Sequence, residues 1–361
     1  MLATLTIRGF RNLAAVDLVV PPSGLVIVGE NGQGKTNLLE AVAFLGLLRS
    51  FRGARDADVV QFGQPACHVR ATLTPPAAWL SVTVGFDRAS KRKVATLDGV
   101  EVPRLTSALG ALPSVAFSPA DVALVAGGPA ERRRYLDVML AMASPAYLAA
   151  LQRYRGALLR RNAALKAAQR EGGRGSHEAR VSVWEPAMAE AGAQLVQARR
   201  HWVATHEMSY ADLCTTIGEG QAASLRYSGT AEDGLAETLA QQRAMEMRRG
   251  MTLVGPHRDD LVLQLGGRDL RTFGSAGQQR SAAIALRLLE LATLRAARGH
   301  APLLLLDDPF AELDLGRAGR VLALLESAGV DQLLLAVPRT EDVPAAFTRL
   351  AMRRMHRGVL A

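Results

Sequence analysis

The stretch G-E-N-G-Q-G-K-T-N at residues 29–37 decides the fold class of this chain. It follows the apolar run L-V-I-V and precedes L-L-E-A-V-A-F-L, whose residues favour a helix. A strand, a glycine-rich loop ending in Lys-Thr, and a helix together form a phosphate-binding loop. The glycines let successive backbone N–H groups turn inward onto phosphates, and the helix N-terminus adds its dipole. The sequence therefore predicts a nucleotide site.

All residues of this loop are candidate nucleotide ligands. Lys35 is expected to neutralise the β- and γ-phosphates, and the hydroxyl of Thr36 is expected to hold Mg²⁺. The candidates are Gly29, Glu30, Asn31, Gly32, Gln33, Gly34, Lys35, Thr36 and Asn37. Such a loop serves kinases, GTPases, transporters and DNA-acting ATPases alike, so the loop alone leaves the function open.

A second apolar run supplies acidic residues for the same chemistry. L-L-L-L-D-D at residues 303–308 reads as a buried strand that ends in two carboxylates. Ligands of open α/β sheets bind at the carboxyl ends of the strands. Asp307 is therefore expected to bind the Mg²⁺. Asp308 is expected to orient or polarise the attacking water, as a catalytic residue beside Lys35.

The composition indicates a globular protein with an anionic partner. The chain has 361 residues, of which 49% are hydrophobic and 21% charged, and its net charge is +9. This surplus favours a polyanion such as DNA, although an arginine-rich solvated face gives the same count. Aromatic residues make up only 5%, which argues against single-strand binding by base stacking.

The sequence also bears on the compartment. Cys67 and Cys214 lack metal-ligand spacing, which favours a reducing environment. The first residues contain no apolar core of a signal peptide. No apolar run approaches the roughly 20 residues that cross a bilayer. We expect a cytoplasmic protein without a membrane partner.

The order of strand-like and helix-like segments predicts an α/β fold interrupted by a helical insertion. Short alternating strands dominate residues 1–125, and fully apolar strands alternate with helices over 250–361, as in a parallel sheet covered on both faces. Residues 126–249 carry long helical patterns instead. One long helix is predicted at 144–169 and a second at 183–214, with a glycine-rich loop tip between them at 171–176. We expect one head built from both outer segments, with an inserted helical lobe or arm.

The stretch F-G-S-A-G-Q-Q-R at residues 273–280 precedes a helical pattern. Alone it is as consistent with an ordinary helix cap as with a nucleotide contact. In order along the chain, however, the phosphate loop, S-x-G-Q, the paired aspartates and A-E-L-D (311–314) resemble the signature of ATP-binding-cassette (ABC) ATPases. The resemblance implies an ABC-type P-loop ATPase head, two copies of which clamp two ATP molecules in a two-fold dimer.

The same resemblance assigns roles across that dimer. The signature of one chain would cap the γ-phosphate held by Lys35 of the other, so that ATP closes the dimer and hydrolysis opens it. The residues of this trans signature are Ser275, Ala276, Gly277 and Gln278. The loop that carries Glu312 and Asp314 would cross the interface.

Within that superfamily the chain resembles the RecF family of gap-repair proteins, which are related to the heads of SMC proteins. The matching stretches span nearly the whole chain: I-R-G-F-R-N-L (7–13), the phosphate loop with L-L-E (29–40), R-S-F-R (49–52), F-S-P-A-D (117–121), R-R-R-Y-L-D (132–137), V-G-P-H-R-D-D-L (254–261), G-S-A-G-Q-Q-R (274–280) and L-L-L-D-D-x-x-x-E-L-D (304–314). The resemblance implies ATP and Mg²⁺ as cofactors, an ATP-dependent homodimer, DNA binding and weak DNA-stimulated ATP hydrolysis. It also implies RecR and RecO as partners in loading RecA at gaps.

Three details qualify what the resemblance implies. Arg11 and Asn12 would lie near the base or ribose of the nucleotide, although a surface turn is as consistent. Asp308 stands where cassette transporters carry Glu, and its shorter side chain predicts slow hydrolysis. L-L-L-A-V-P-R-T (333–340) offers no His for a γ-phosphate switch.

Arginine-rich strings are the candidate DNA contacts. A string of charges is usually a solvated helix face, which is the alternative interpretation. The candidate residues are Arg52, Arg132, Arg133, Arg134, Arg160 and Arg161. No segment resembles a base-reading helix, so we expect binding that is independent of DNA sequence.

The string His257-Arg258-Asp259-Asp260 has no recognised metal-ligand spacing. We expect it to form a turn that enters a strand at 261–265. Arg258 remains a candidate contact to nucleotide or DNA.

Three other functions share part of the whole pattern. A nucleotide-binding subunit of an ABC transporter has the same motifs but leaves the basic charge and the helical insertion unexplained. A small-molecule kinase leaves S-A-G-Q and A-E-L-D without a role. A purely architectural protein would bind DNA without regard to ATP.

Overall fold

The computed structural model describes residues 1–171, 177–311 and 313–361. Most of the loop tip predicted at 171–176 lies outside the described residues. Glu312 of the predicted dimer loop lies outside them too.

The chain divides into two compact units. The first combines Met1–Asp121 with Ile284–Ala361, and the second contains Val122–Ala283. Both outer segments of the sequence thus contribute to one unit. Residues 250–283, which the sequence assigns to the head, group with the helical middle segment instead.

The strands within the described residues are β1 (Leu2–Arg8), β2 (Val16–Val19), β3 (Gly24–Val28), β4 (Ala66–Leu73), β5 (Ser81–Asp87), β6 (Arg92–Leu97), β7 (Val100–Glu101), β8 (Ser114–Phe117), β9 (Ala223–Ser228), β10 (Asp260–Leu265), β11 (Arg268–Asp269), β12 (Leu303–Asp307), β13 (Leu333–Val337), β14 (Ala351–His356) and β15 (Val359–Leu360).

The α-helices within the described residues are α1 (Lys35–Leu47), α2 (Asp56–Val59), α3 (Ala123–Ala126), α4 (Pro129–Ala143), α5 (Pro145–Arg170), α6 (His177–Ser182), α7 (Glu185–Ile217), α8 (Leu235–Arg249), α9 (Leu270–Phe273), α10 (Ala276–Arg298) and α11 (Leu315–Ser327). None of these helices is long and apolar enough to cross a membrane.

The first unit contains two six-stranded sheets. One is antiparallel, in the order β2-β1-β4-β5-β6-β7. The other has the order β15-β14-β3-β13-β12-β8 and is parallel except for its edge strand β15. Every residue of β3, β12 and β13 is buried, which is the pattern of strands covered on both faces. The predicted parallel sheet is confirmed.

Helix α1 packs between these two sheets, against β4 and β5 on one side and β8, β12 and β13 on the other. Its sequence is apolar on nearly all faces, and such a helix is stable in water only when it is fully covered. The ring of Phe44 meets the ring of Phe10 edge-on, with centroids 5.8 Å apart. This packing fixes the N-terminus of α1 at the carboxyl edge of the parallel sheet.

The second unit is built on the long helices α5 and α7, which pack along each other and against α8. Its interior contains Leu165, Leu195, Trp202 and Tyr210. The three-stranded sheet β11-β10-β9 packs on α7 through β9 and on α4 through β10. Both long helices predicted from the sequence are confirmed, and α7 extends three residues beyond the predicted end at 214.

Candidate functional site

The loop at residues 29–37 joins β3 to α1, as its sequence predicts. A Cβ atom on Gly29 would lie 2.4 Å from the carbonyl oxygen of Met355 in β14, so only glycine fits there. Gly32 and Gly34 have φ angles of 81° and 114°, in the left-handed region that glycine adopts without strain. The loop therefore turns sharply into the helix and presents its N–H groups at the helix N-terminus.

Lys35 lies at the base of this loop and is 7% exposed. Its ammonium group donates hydrogen bonds to the carbonyl oxygens of Gly29 and Glu30. Burial lowers the pKa of Lys35, and the carboxylates of Asp307 and Asp308 act in the opposite direction. A phosphate group beside this ammonium would favour its charged form in the same way as the two carboxylates.

Thr36 and Asp307 meet at the carboxyl edge of the sheet. The hydroxyl of Thr36 donates a 2.9 Å hydrogen bond to the carboxylate of Asp307, although 271 residues separate them. They meet because β3 and β12 both pair with β13 in parallel, which brings their carboxyl ends to one edge. Burial raises the pKa of Asp307. The hydrogen bond from Thr36 lowers this pKa, and the nearby charge of Asp308 raises it.

Asp308 follows directly in the left-handed region, with a φ of 47°. Aspartate tolerates this conformation better than most side chains. The backbone N–H of Asp308 donates to the carbonyl oxygen of Ala336 at 2.9 Å, which fixes the turn after β12. The two carboxylates are thereby held at the same cleft.

The cleft at this edge has a volume of about 400 Å³, within the usual range for ligand pockets. Its lining residues come from five separate parts of the first unit. They are Asn31, Gly32, Gly34, Lys35, Thr36, Asn37, Arg52, Pro119, Asp307, Asp308 and Pro338. The predicted phosphate loop and the paired aspartates thus lie together around one space.

Arg11 and Asn12 are the two residues that the resemblance places near the base or ribose of the nucleotide. The guanidinium of Arg11 forms two hydrogen bonds of 2.8 and 2.9 Å with the buried carboxylate of Glu40. Asn12 contacts the phosphate loop itself, because its amide group donates to the carbonyl oxygen of Gly32 at 3.2 Å and accepts from Asn37 at 2.7 Å. Arg11 therefore supports α1, and Asn12 supports the loop.

Arg52, a candidate DNA contact, lines the nucleotide cleft. Its guanidinium donates to Asn37 at 3.2 Å and lies 3.8 Å from the carboxylate of Glu40. Glu40 also accepts a hydrogen bond from Ser50. Sequence reasoning missed this carboxylate, because an acidic residue inside an apolar helix gives no indication of its partners.

The signature stretch caps the long helix α10. The hydroxyl of Ser275 accepts from the N–H of Gln278 at 3.3 Å, and the side chain of Gln278 accepts from the N–H of Ser275 at 2.9 Å. Ser275 and Ala276 are exposed. Asp314 accepts from the N–H of Arg317 at 2.9 Å at the start of α11, and this bond lowers the pKa of Asp314.

Two of the candidate DNA arginines are buried in ion pairs. Arg161 has no exposed surface and lies 2.9 Å from Glu185 and 2.6 Å from Glu246. Arg132 is 4% exposed and binds the carboxylate of Asp260 through two hydrogen bonds of 2.8 Å. Their guanidinium groups cannot reach a phosphate, so the prediction of DNA contacts at these two positions is wrong.

The other arginines of those strings are more accessible. Arg133 donates to the carbonyl oxygen of Asp259 at 2.7 Å and is half-buried, as is Arg134. Arg160 is exposed, and its guanidinium lies over the ring of Trp184 at 5.2 Å. Of the helical arginines, Arg133, Arg134 and Arg160 stay candidates.

The string at residues 254–261 forms the predicted turn into β10. Its carboxylate Asp259 is buried and accepts hydrogen bonds from Tyr227 and Thr230. His257 contacts the hydroxyl of Tyr154 at 2.6 Å. Among the described residues, no group of three His, Cys, Asp or Glu side chains could hold a metal ion. The string is thus a structural element of the second unit.

Residues 1–359 match the protein family described as "RecF/RecN/SMC N terminal domain". A "DNA replication and repair protein RecF" of Anaeromyxobacter dehalogenans (strain 2CP-C) is 38% identical over 376 residues, which cover 100% of this chain and 98% of that protein. A protein of the same description from Thermosynechococcus vestitus is 38% identical over 335 residues, which cover 90% of this chain and 87% of that protein.

Two solved structures also match this chain over nearly its whole length. The structure of "the recombination mediator protein RecF-ATP in RecFOR pathway" matches with a TM-score of 0.88 and 28% identity, over 100% of this chain and 96% of that one. An SMC head bound to the C-terminal winged-helix domain of ScpA matches with a TM-score of 0.55 and 16% identity, over 99% and 95% of the two chains. The SMC likeness concerns the fold alone.

Proposed function

Because this chain belongs to the RecF family, we propose that it is an ATP-dependent DNA-binding protein of recombinational gap repair. ATP binding drives dimerisation on DNA, and slow hydrolysis releases the DNA. The related proteins are described as acting in DNA replication and repair, and one was solved with ATP in the RecFOR pathway. RecR and RecO are the proposed partners, and RecA loading at gaps is the proposed outcome.

The observation that carries the proposal is the contact between Thr36 and Asp307 beside Lys35. It joins the phosphate loop to the carboxyl end of β12, and the cleft above it is large enough for a triphosphate chain. Burial in the cleft strengthens the attraction between Lys35 and an anion, because the local dielectric constant is lower than that of water.

The oxygen atoms present suit Mg²⁺ as the cofactor. Magnesium prefers oxygen ligands and is usually held by one or two protein groups together with substrate phosphates. The hydroxyl of Thr36 and the carboxylate of Asp307 supply two such oxygen atoms 2.9 Å apart. A bound Mg²⁺ would neutralise phosphate charge that develops during hydrolysis. The carboxylate of Asp307 would then be held ionised by the cation.

Asp308 is the proposed group that orients the attacking water. Its backbone is fixed by the bond to Ala336, and its side chain is one methylene shorter than that of glutamate, so its carboxylate reaches less far toward the water. A carboxylate that reaches the water imperfectly predicts slow hydrolysis. Slow hydrolysis suits a protein whose bound state, rather than its turnover, is the functional product.

The second half of the site is proposed to come from a second copy of the chain. Ser275 and Ala276 are exposed at the N-terminus of α10, which has 23 residues and therefore a full helix dipole. An exposed helix N-terminus of this kind favours an anion such as the γ-phosphate. The loop with Asp314 is proposed to contact the partner subunit.

DNA is proposed to bind through phosphate contacts and without sequence preference. The net charge of +9 favours a polyanion. Of the helical arginines that the sequence predicts as DNA contacts, the proposal keeps Arg133, Arg134 and Arg160. The alternative, a transporter subunit, would require a membrane partner and is not favoured by the relatives found.

One experiment tests the proposal. Oligomeric state by sedimentation and retention on a duplex are measured with ATP, ADP and a non-hydrolysable ATP analogue. The variants are Lys35→Arg, Ser275→Arg and, as a matched control on the exposed face of α7, Ser209→Arg.

We expect wild type and Ser209→Arg to dimerise and bind DNA more tightly with ATP or the analogue than with ADP. Lys35→Arg is expected to bind ATP but to hydrolyse it poorly. Ser275→Arg is expected to bind ATP and stay monomeric. Normal dimerisation of Ser275→Arg would contradict the trans signature, and DNA retention that ignores ATP would favour an architectural protein instead.

A further inference from the structure

Gln33 differs from its neighbours in the phosphate loop. Residues 31, 32 and 34–37 line the nucleotide cleft, whereas Gln33 does not belong to that lining. Its carbonyl oxygen accepts a hydrogen bond of 2.8 Å from the N–H of Gly358. Its side-chain oxygen accepts a second one, of 2.6 Å, from the N–H of Arg357. Gln33 thus faces the β14–β15 hairpin, 324 residues further along the chain.

Two backbone N–H groups of the hairpin turn donate hydrogen bonds to Gln33. The pair His356–Val359 closes a two-residue turn of Arg357 and Gly358, whose φ angles are 48° and 79°. In a tight turn with two positive φ values, the N–H groups of both central residues point away from the hairpin. Gly358 is buried, so its N–H needs an acceptor within the protein, whereas Arg357 is exposed. Gln33 provides both acceptors, one from its backbone and one from its side chain.

The turn itself is held in place by a third contact. The carbonyl oxygen of Gly358 accepts from the N–H of Ala14 at 2.9 Å. A Cβ atom on Gly358 would lie 2.0 Å from the carbonyl oxygen of Asn12, so the backbones touch there. Asn12 in turn binds Gly32 and Asn37 through its amide group. The turn and Asn12 together contact the loop at Gly32, Gln33 and Asn37.

We infer that Gln33 is a positioning residue, through which the β14–β15 turn holds the phosphate loop in the conformation that receives a triphosphate. Gly32 and Gly34 have no Cβ atom to restrict the backbone, so this loop can take other conformations, and ordering it on binding costs conformational entropy. A loop that is already held binds with less of this cost. The inference rests on the proposed function and deepens it, because it names what orders the ATP site.

The test compares Gln33→Ala with Gln64→Ala, a change of the same type at an exposed position outside the site. Binding of a fluorescent ATP analogue, KM and kcat for ATP, and the thermal midpoint without nucleotide are measured for both. Loss of one hydrogen bond predicts roughly three- to tenfold weaker analogue binding and a matching rise in KM for Gln33→Ala. We expect kcat to stay that of wild type and the thermal midpoint to fall by no more than the loss of one exposed hydrogen bond produces. A residue with only a structural role would lower the midpoint and leave KM unchanged.

Hydrogen exchange of the loop amides supplies a measurement that needs no nucleotide. Residues 31–36 are expected to exchange faster in Gln33→Ala than in wild type or Gln64→Ala.

The outcomes separate this inference from the proposed function. If wild type binds the analogue and Gln33→Ala binds it within twofold as tightly, with unchanged loop exchange, the positioning role is refuted and the ATP site stands. If wild type binds no analogue, both the inference and the proposed function are overturned.

Discussion

The hydroxyl of Thr36 donates to the carboxylate of Asp307 at 2.9 Å, and neither residue has this partner until the parallel sheet is complete. The contact depends on β13, which separates the two strands that carry these residues and pairs with both. The order of the strands in the sheet, rather than either motif by itself, therefore brings together the two oxygen atoms proposed to bind a cation.

Asp307→Asn should weaken the use of Mg²⁺. Asparagine keeps an oxygen that accepts from Thr36 but removes the negative charge. We expect the Mg²⁺ concentration for half-maximal ATP hydrolysis to rise by about tenfold or more, since the cation loses a charged ligand. The measurement is a magnesium titration of ATPase activity, with Asp331→Asn, an exposed residue before β13, as control. Equal titrations for both variants would contradict the assignment.

Arg52→Ala should weaken nucleotide binding in the absence of DNA. Its guanidinium lines the cleft beside Asn37 and is partly exposed, so its charge can reach a bound phosphate. We expect about tenfold weaker binding of a fluorescent ATP analogue, as for a charge-assisted hydrogen bond. Arg55→Ala, three residues further along and exposed, is the matched control. If only DNA affinity responds to Arg52→Ala, the residue belongs to the DNA surface after all.

The neighbours Arg160 and Arg161 should give opposite results. Arg161→Ala leaves Glu185 and Glu246 buried without their shared partner and is expected to lower the free energy of unfolding by about 3–5 kcal/mol. Arg160→Ala changes an exposed side chain and is expected to stay within about 0.5 kcal/mol of wild type. Urea unfolding checks both values.

The salt dependence of DNA binding tests whether Arg160 contacts a DNA phosphate. If Arg160 meets one phosphate, its removal lowers the slope of log K against log salt by about one. An unchanged slope and affinity for Arg160→Ala would remove it from the proposed DNA contacts.

His257 should make stability fall in mild acid. Burial lowers its pKa from 6.5 to about 4, while the unfolded chain keeps the ordinary value. Between these values the unfolded state binds the extra proton, so stability is lost as the pH decreases from about 6.5 to about 4. From pH 7 to pH 5 the loss should be roughly 2 kcal/mol.

His257→Gln isolates this contribution. Glutamine can accept from Tyr154 and donate to the carbonyl oxygen of Thr252, which are the two contacts of His257, but it does not titrate. Urea unfolding at pH 7 and pH 5 should show a difference smaller by roughly 2 kcal/mol in this variant. Identical pH dependence in variant and wild type would exclude His257 as the source.

The parts of the site that follow from local patterns were predictable from the sequence. The phosphate loop has a fixed spacing because backbone N–H groups must surround phosphates, and Asp307 ends a strand whose apolar run is easily read. The helix cap at Ser275 is local in the same sense. These residues owe their roles to their immediate neighbours in the chain.

Other roles depend on partners that are distant in the sequence. The string R-R-R at 132–134 gives no indication that Arg132 turns inward to Asp260, 128 residues away, while Arg134 stays half-buried. Arg161 likewise needs Glu246 to explain its burial. Gln33 and Arg357 are 324 residues apart. A charge run in the sequence therefore predicts DNA contacts at positions where the structure has buried ion pairs.

The position of β3 between β13 and β14 has a consequence for synthesis on the ribosome. β3 is buried along its whole length, and both strands that pair with it come about 300 residues later. At roughly 5–20 residues per second, the nascent chain carries this apolar strand with two open edges for on the order of 15–60 s. Open apolar edges pair with other chains. Fragments that stop before residue 333 should therefore aggregate, and translation of this protein should depend on factors that shield its first strands.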